Sequence, residues 1–315
     1  MAKIVSVTAN TAIDLLIEAD GLYRLDNLIA ESSREFACGK GINAAKAVES
    51  LGHPVICLGF AGRQSIGPFN ALNSGLLHTD LIAVEGKTRT NITLSDRSAG
   101  RETHIRTPGY RVTPEDCRGL AEKIEASVLA GDIVILSGSL PAGAPDDFYR
   151  TLIGMCRRKS AVTFLDSSGR SLAEGIKAGP DLIKPNLQEL EELAGTGLKT
   201  TSAVLKAARS LLGLGIGRIC VSLGDEGVLA VDAASALAGR VRPCPIEKAT
   251  QVGCGDALVA GLAVGLLRRL PWDDCVRLGI ACGTANLYSP EPGRFNAERA
   301  ADILTEVEIT PNLSG

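Results

Sequence analysis

The stretch "KATQVGCGDALVAGLAVGLLRRL" (residues 248–270) places a charged Asp256 inside a glycine-rich turn, directly ahead of a long apolar helix. Gly253 and Gly255 flank Cys254, so the backbone can bend until several N–H groups point the same way. At the start of a helix those N–H groups and the helix dipole favour an anion. Asp256 then has two readings. It can cap the helix. Alternatively, it can serve as a base beside an anion hole, the pairing that phosphoryl transfer requires. In that case the hole steadies the moving phosphoryl group and the carboxylate takes the acceptor hydroxyl's proton.

The chain around this turn reads as alternating strands and helices. Strands are expected at 3–8, 54–60, 132–139, 162–168, 181–186 and 218–224. Helical patterns lie between them, such as "GINAAKAVESLG" with Ala44, Ala45, Val48 and Leu51 on one face and Gly52 as its stop. That alternation predicts an α/β fold with a mostly parallel central sheet covered on both faces. Two segments, about 15–37 and 88–108, are polar and strand-like without helices, and read as a small β-lid outside the main sheet. No linker composition divides the chain, so residues 1–315 are expected to form a single domain. In such a sheet ligands gather at the carboxyl ends of the strands. The loops "TANTAID", "ACGKGIN", "SGSLPAG", "LDSSGR", "KPNLQEL", "SLGDEG" and "QVGCGD" should therefore converge on one edge.

Composition narrows the function classes. A formal charge of −3 without a basic block argues against nucleic acid as a partner. No apolar run is long enough for a membrane span. Nine cysteines without a C-x-x-C pair fit neither a zinc ribbon nor a disulfide scaffold; Cys57, Cys220 and Cys282 read as core residues, and a cytoplasmic setting is expected. His53, His78 and His104 have no metal-binding spacing. "GLGIGR" precedes a strand instead of following one, which speaks against a dinucleotide fingerprint, and there is no P-loop.

Four motifs carry a resemblance. "QVGCGD" with "ALVAGL", "CGKGINAAKAVESLG" (38–52), "IKPNLQEL" (183–190) and "VSLGDEG" (221–227) are similar, in order and spacing, to the signatures of the ribokinase-like (PfkB) carbohydrate kinases. "VTANTAID" and "LSGSLPAG" look most like the phosphosugar branch: 1-phosphofructokinase, tagatose-6-phosphate kinase and the minor 6-phosphofructokinase. The resemblance implies a three-layer α/β/α kinase with a β-lid, using ATP and Mg2+ on a ketohexose phosphate, with fructose 1-phosphate favoured. It implies Asp256 as catalytic base and Gly253, Cys254 and Gly255 as the anion hole. Asp14, Gly39, Lys40, Gly41, Asn43, Arg89 and Ser139 would hold the sugar phosphate, and Lys184, Asn186, Ser222, Gly224 and Gly227 the nucleotide. Asn186 and Glu189 would order magnesium, largely through water, although spaced three apart they also read as a helix cap and its partner. A monovalent cation such as potassium would sit near Val252, Ser289 and Gly293. A homodimer through the exposed lid strands is a further expectation.

The sequence departs from the family pattern at several points. Thr11 stands for the usual proline of N-P-A-I-D, Cys38 for Gly, Gln251 for Thr and Cys254 for Ala. The first lid segment offers only Arg24 and Arg34, out of register with the family's basic residues, and Arg106 reads as a lid-surface charge. Two other classes stay open on the residues alone: a non-catalytic sugar- or nucleotide-binding protein, which would release no ADP, and a dehydrogenase of similar layout, which would bind a nicotinamide.

Overall fold

A computed structural model describes residues 2–21, 27–96, 98–241 and 251–313. The strands are β1 (Ile4–Thr8), β2 (Ala12–Glu18), β3 (Ser32–Cys38), β4 (Val55–Gly62), β5 (Leu77–Val84), β6 (Arg89–Asp96), β7 (Arg101–Arg106), β8 (Ile133–Ser137), β9 (Val162–Asp166), β10 (Leu182–Ile183), β11 (Arg218–Ser222), β12 (Val228–Asp232), β13 (Ala236–Arg240) and β14 (Glu308–Thr310). The helices are α1 (Lys40–Ser50), α2 (Gly67–Asn70), α3 (Pro114–Ser127), α4 (Phe148–Arg158), α5 (Gly169–Gly175), α6 (Leu187–Ala194), α7 (Thr201–Leu212), α8 (Cys254–Leu267), α9 (Trp272–Asn286) and α10 (Ala297–Glu306).

Among the described residues, ten strands form the main sheet in the order β14-β13-β12-β11-β10-β9-β8-β1-β4-β5. From β11 to β5 all neighbours are parallel; β12, β13 and β14 add an antiparallel flank. Successive strand residues feed two cores, as period-two geometry requires. Ile4, Ile133 and Ile135 pack with α1, α8, α9 and α10; Val5, Val7, Val134 and Leu136 pack with α3, α4 and α7. The result is the expected α/β/α layering. Helix α8 is apolar on every side because it is covered on every side. Gly261 lets it approach α9 so closely that a Cβ there would lie 2.7 Å from the Gly279 Cα.

A second sheet, ordered β3-β2-β6-β7, stands apart from the first and is built from the two segments read as a lid. The antiparallel flank was not expected. "ALAGR" in β13 has little β-propensity, and β14 has only three residues; both owe their form to pairing with neighbours. The strand expected over 181–186 is only Leu182–Ile183, because Pro185 has no N–H to donate and Asn186 already caps α6. No helix among the described residues is long and apolar enough to cross a membrane.

The packing of α1 against β1 fixes the site's first wall. A Cβ on Gly41 would sit 2.3 Å from Thr8 Oγ1 and 2.7 Å from the Val7 carbonyl oxygen. Gly41→Ala should therefore push α1 outward and cost about 1–3 kcal/mol. A thermal midpoint several degrees below the parent is the expected result, and an unchanged midpoint would show that the contact is not tight.

Candidate active site

The loops at the carboxyl ends of the parallel strands meet over the start of α8. Gly253 precedes that helix with φ 89°. A side chain there would strike Pro292 and the Gly293 N–H, about 3 Å away, so only glycine fits both the conformation and the space. Cys254 and Gly255 form the first turn, whose N–H groups have no carbonyl four residues back within the helix. Asp256 is the third helical residue. Gly253, and not Asp256, occupies the N-cap position. The Asp256 Oδ2 accepts from Asn43 Nδ2 at 2.8 Å, joining α8 to α1 across 213 positions of chain.

Asp256 is buried, and burial pushes its carboxyl up to about 6, with the nearby Asp166 adding to the rise. Lys40, the Asn43 hydrogen bond and Lys184 oppose it. A carboxyl near 6 is ionised at neutral pH yet basic enough to take a proton, as a general base needs.

Asp166, at the end of β9, is the group that residue-by-residue reading missed. It is fully buried, and its Oδ1 meets Lys40 Nζ at 3.0 Å and Lys184 Nζ at 3.4 Å. Burial alone would raise its carboxyl, but Lys184 and Lys40 hold it below the ordinary carboxylate value. Lys40 in turn is held above its ordinary value: burial works against its charge, but Asp166, Asp256 and Glu189 outweigh it. Asp166 lies in the "LDSSGR" loop already expected at the ligand edge; a carboxylate at a strand's carboxyl end was the available signal.

Lys184 reaches the same corner. A Cβ on Gly255 would lie 3.3 Å from its Nζ, so a buried cation stands beside the helix start. Asn186 and Glu189 form a full capping box on α6: Asn186 Oδ1 accepts from the Glu189 N–H at 2.7 Å, and Glu189 Oε2 accepts from the Asn186 N–H at 2.9 Å. Ser222 bridges to Asn186 across the sheet edge, and Gly224 and Gly227 turn the chain back into β12. Magnesium prefers oxygen ligands and keeps several waters. Asp166 Oδ2, buried without a hydrogen-bond partner, fits that habit as an oxygen donor.

Of the residues expected to hold the sugar, Asp14 receives a hydrogen bond from Asn91 Nδ2 at 2.7 Å, and burial raises its carboxyl above the ordinary value. Asp14 also lines a cleft of about 820 Å³ between the small sheet and the 288–292 loop. Gly39 caps α1 and leads into Lys40. Arg89 points its guanidinium at the carbonyls of Asn10 (3.1 Å) and Thr11 (3.3 Å). Ser139 Oγ accepts from Asn10 Nδ2 at 3.1 Å, so Asn10, which sequence reading did not single out, ties these two expected residues together. Cys38 lies buried at the end of β3. Arg34 is paired with Glu18 at 3.1 Å and Arg106 is exposed; Arg24 lies outside the described residues.

The three residues expected near a monovalent cation converge on one buried residue, Asn286. Its Nδ2 donates to the Val252 carbonyl at 2.9 Å and its Oδ1 accepts from the Gly293 N–H at 2.7 Å, while its own carbonyl accepts from the Ser289 N–H at 3.0 Å. The loop that carries Ser289 and Gly293 is pinned to α1 by buried Lys46, whose Nζ lies 2.8 Å from Glu291 Oε1.

Comparison with known proteins shows the family and the fold. Residues 1–298 match the pattern of the pfkB family carbohydrate kinases. The chain is 36% identical to the 1-phosphofructokinase of Xanthomonas campestris pv. campestris over 311 residues, covering 97% of each chain. It is 31% identical to that of Escherichia coli K12 over 310 residues, covering 98% of each. Among solved structures it is similar to phosphofructokinase-2 from Escherichia coli in complex with potassium, with a TM-score of 0.89 at 25% identity, over 97% of this chain and 99% of that one.

The charge arrangement predicts a pH profile. With Asp256 as the proposed base, its protonation should make kcat/KM fall about tenfold per pH unit below about 6. Asp166→Asn removes a negative charge that raises Asp256 and frees two lysines that lower it. The acid limb of that variant should move to lower pH. A limb that stays in place, or moves up, would contradict the assignment.

Proposed function

The chain belongs to the pfkB family of carbohydrate kinases, and on that footing we propose that it transfers the γ-phosphate of ATP to fructose 1-phosphate, giving fructose 1,6-bisphosphate. The observation that carries the reading is the buried carboxyl of Asp256, poised near 6 at the mouth of α8 and aimed by Asn43.

In this reading the sugar's free hydroxyl enters between Asp256 and the first turn of α8. Asp256 takes its proton as the hydroxyl oxygen bonds to phosphorus, and the bond to the departing ADP oxygen breaks. The N–H groups of Gly253 to Asp256 and the ammonium groups of Lys40 and Lys184 receive the charge on the moving phosphoryl oxygens. Lys184, Asn186, Ser222, Gly224 and Gly227 hold the nucleotide. Magnesium, when bound, neutralises charge on the ATP phosphates; Asp166, Asn186 and Glu189 would hold it, largely through water. Asp14 and Asn43 orient the sugar hydroxyls, and Arg89 with Ser139 takes the sugar's existing phosphate. Potassium would bind near Val252, Ser289 and Gly293, where it would steady the turn before α8.

Fructose 1-phosphate is favoured by the kinship with 1-phosphofructokinases along nearly the whole chain. The small sheet is the lid over this site. Its β7 is exposed along its full length, and Ile105 on it is 46% exposed, which suits pairing with a second copy as a homodimer. The cysteines among the described residues are mostly buried, in keeping with a cytoplasmic setting.

A coupled ADP-release assay across fructose 1-phosphate, fructose 6-phosphate, tagatose 6-phosphate, fructose and ribose tests the proposal. Fructose 1-phosphate should give the highest kcat/KM, with free sugars far below every phosphosugar. A preference for fructose 6-phosphate or tagatose 6-phosphate would reassign the substrate within the branch. Free sugars equal to the phosphosugars would overturn the phosphosugar reading altogether.

A further inference from the structure

Thr11 stands at the bend between β1 and β2, the two strands that deliver Asn10 and Asp14 to the sugar site. It is fully buried, and its N–H and hydroxyl converge on one phenol. The Thr11 N–H donates to Tyr110 Oη at 3.0 Å, and Thr11 Oγ1 donates to the Phe60 carbonyl at 2.8 Å while lying 3.2 Å from the same Oη. Tyr110 Oη lies 3.1 Å from the Ala9 carbonyl and 3.0 Å from the Phe60 carbonyl. One assignment satisfies every donor: the Thr11 hydroxyl to Phe60, the Tyr110 hydroxyl to Ala9, and the Thr11 N–H to Tyr110. Burial pushes the Tyr110 hydroxyl up to about 12, so it keeps its proton and can fill this donor role at any working pH. A proline at position 11 would bring no N–H to this arrangement.

The turn that this network fixes is the one Arg89 leans on. The Arg89 guanidinium donates to the carbonyls of Asn10 and Thr11, and Asn10 reaches Ser139 from the same turn. The chain just before Tyr110 also packs against Arg89. Gly109 comes so close that a Cβ there would lie 3.0 Å from the Arg89 Cβ.

We propose that Tyr110 and Thr11 are positioning residues for the sugar phosphate: their shared hydroxyl network fixes the Ala9–Thr11 turn, and the turn aims Arg89 and Asn10 at the substrate's phosphate group. The proposal rests on the kinase reading above. Neither residue touches the reacting atoms; both act through Arg89 and Asn10. The loss of a buried hydroxyl partner should therefore loosen sugar-phosphate binding while ATP binding and the chemical step proceed.

The experiment is a double-mutant cycle of Tyr110→Phe with Arg89→Ala, read with fructose 1-phosphate and ATP varied separately. Parent activity on fructose 1-phosphate tests the kinase reading first; the cycle tests the positioning role. Tyr110→Phe should raise the KM for fructose 1-phosphate about tenfold, leaving kcat and the KM for ATP within about twofold. In the Arg89→Ala background the same change should add less than about twofold, because the group it aims is already gone. Thr11→Val keeps the N–H and the side-chain volume but removes the hydroxyl. It should show the same pattern more weakly, and it carries the test if Tyr110→Phe does not fold. An unchanged sugar-phosphate KM, a full multiplication of the two effects in the double variant, or equal losses in kcat and in both KM values would overturn the proposal.

Discussion

The hydrogen bond from Asn43 to Asp256 ties the two ends of the active site together. It spans from the first turn of α1 to the first turn of α8, and both helices must approach within a side chain's reach for it to form. Several glycines exist to permit that approach. Gly41 lets α1 lie on β1, and Gly253 lets the turn before α8 pass against Pro292 and Gly293. Gly293 itself packs on the Asn43 backbone, where a Cβ would lie 2.3 Å from its carbonyl oxygen. The glycine-rich character of both signatures therefore answers a packing demand as well as a ligand's close approach.

Around this bond the charges are arranged in opposition. Two carboxylates, Asp166 and Asp256, are buried near two lysines, but only Asp166 is in direct contact with them. Asp166 is thus held ionised while Asp256, left with one neutral hydrogen-bond donor, is raised to about 6. Two acids of the same type are driven apart by their partners, and the one with the raised value is the one at the helix start. The lysines serve twice in this account. They neutralise Asp166, and on the proposed reading they also offer positive charge to the phosphate oxygens.

Much of this was legible in the sequence. The β-α alternation revealed the parallel sheet, and the polar strand segments revealed a separate small sheet. The turn at 253–256 and the motif at 38–52 pointed to residues that the fold does bring together. What stayed hidden depends on contacts between distant positions. The antiparallel flank of β12 to β14 is stabilised by pairing and not by the propensities of "ALAGR" or "EIT". Asp166 has no motif of its own; its meaning comes from two lysines more than a hundred and about twenty positions away. Asn286 reads as an ordinary polar residue at the end of a helix until Val252, Ser289 and Gly293 are seen gathered on it. Asn186 and Glu189 were read as both cap and ligand, and the structure displays the cap in full.

The account stands on Asp256 being a base and not a structural cap, and Asp256→Asn separates the two. The substitution keeps shape and a hydrogen-bonding oxygen but cannot accept the proton, so kcat should fall by about 10²–10⁴-fold. Because folding raises this carboxyl above its unfolded value, its contribution favours the folded chain at low pH and is lost as pH rises through about 6. At neutral pH the neutral amide should therefore leave the thermal midpoint unchanged or slightly higher. Measuring kcat and the midpoint of this one variant decides the matter. A collapse of turnover in a fully stable protein is the predicted result; near-normal turnover with a lowered midpoint would contradict the account.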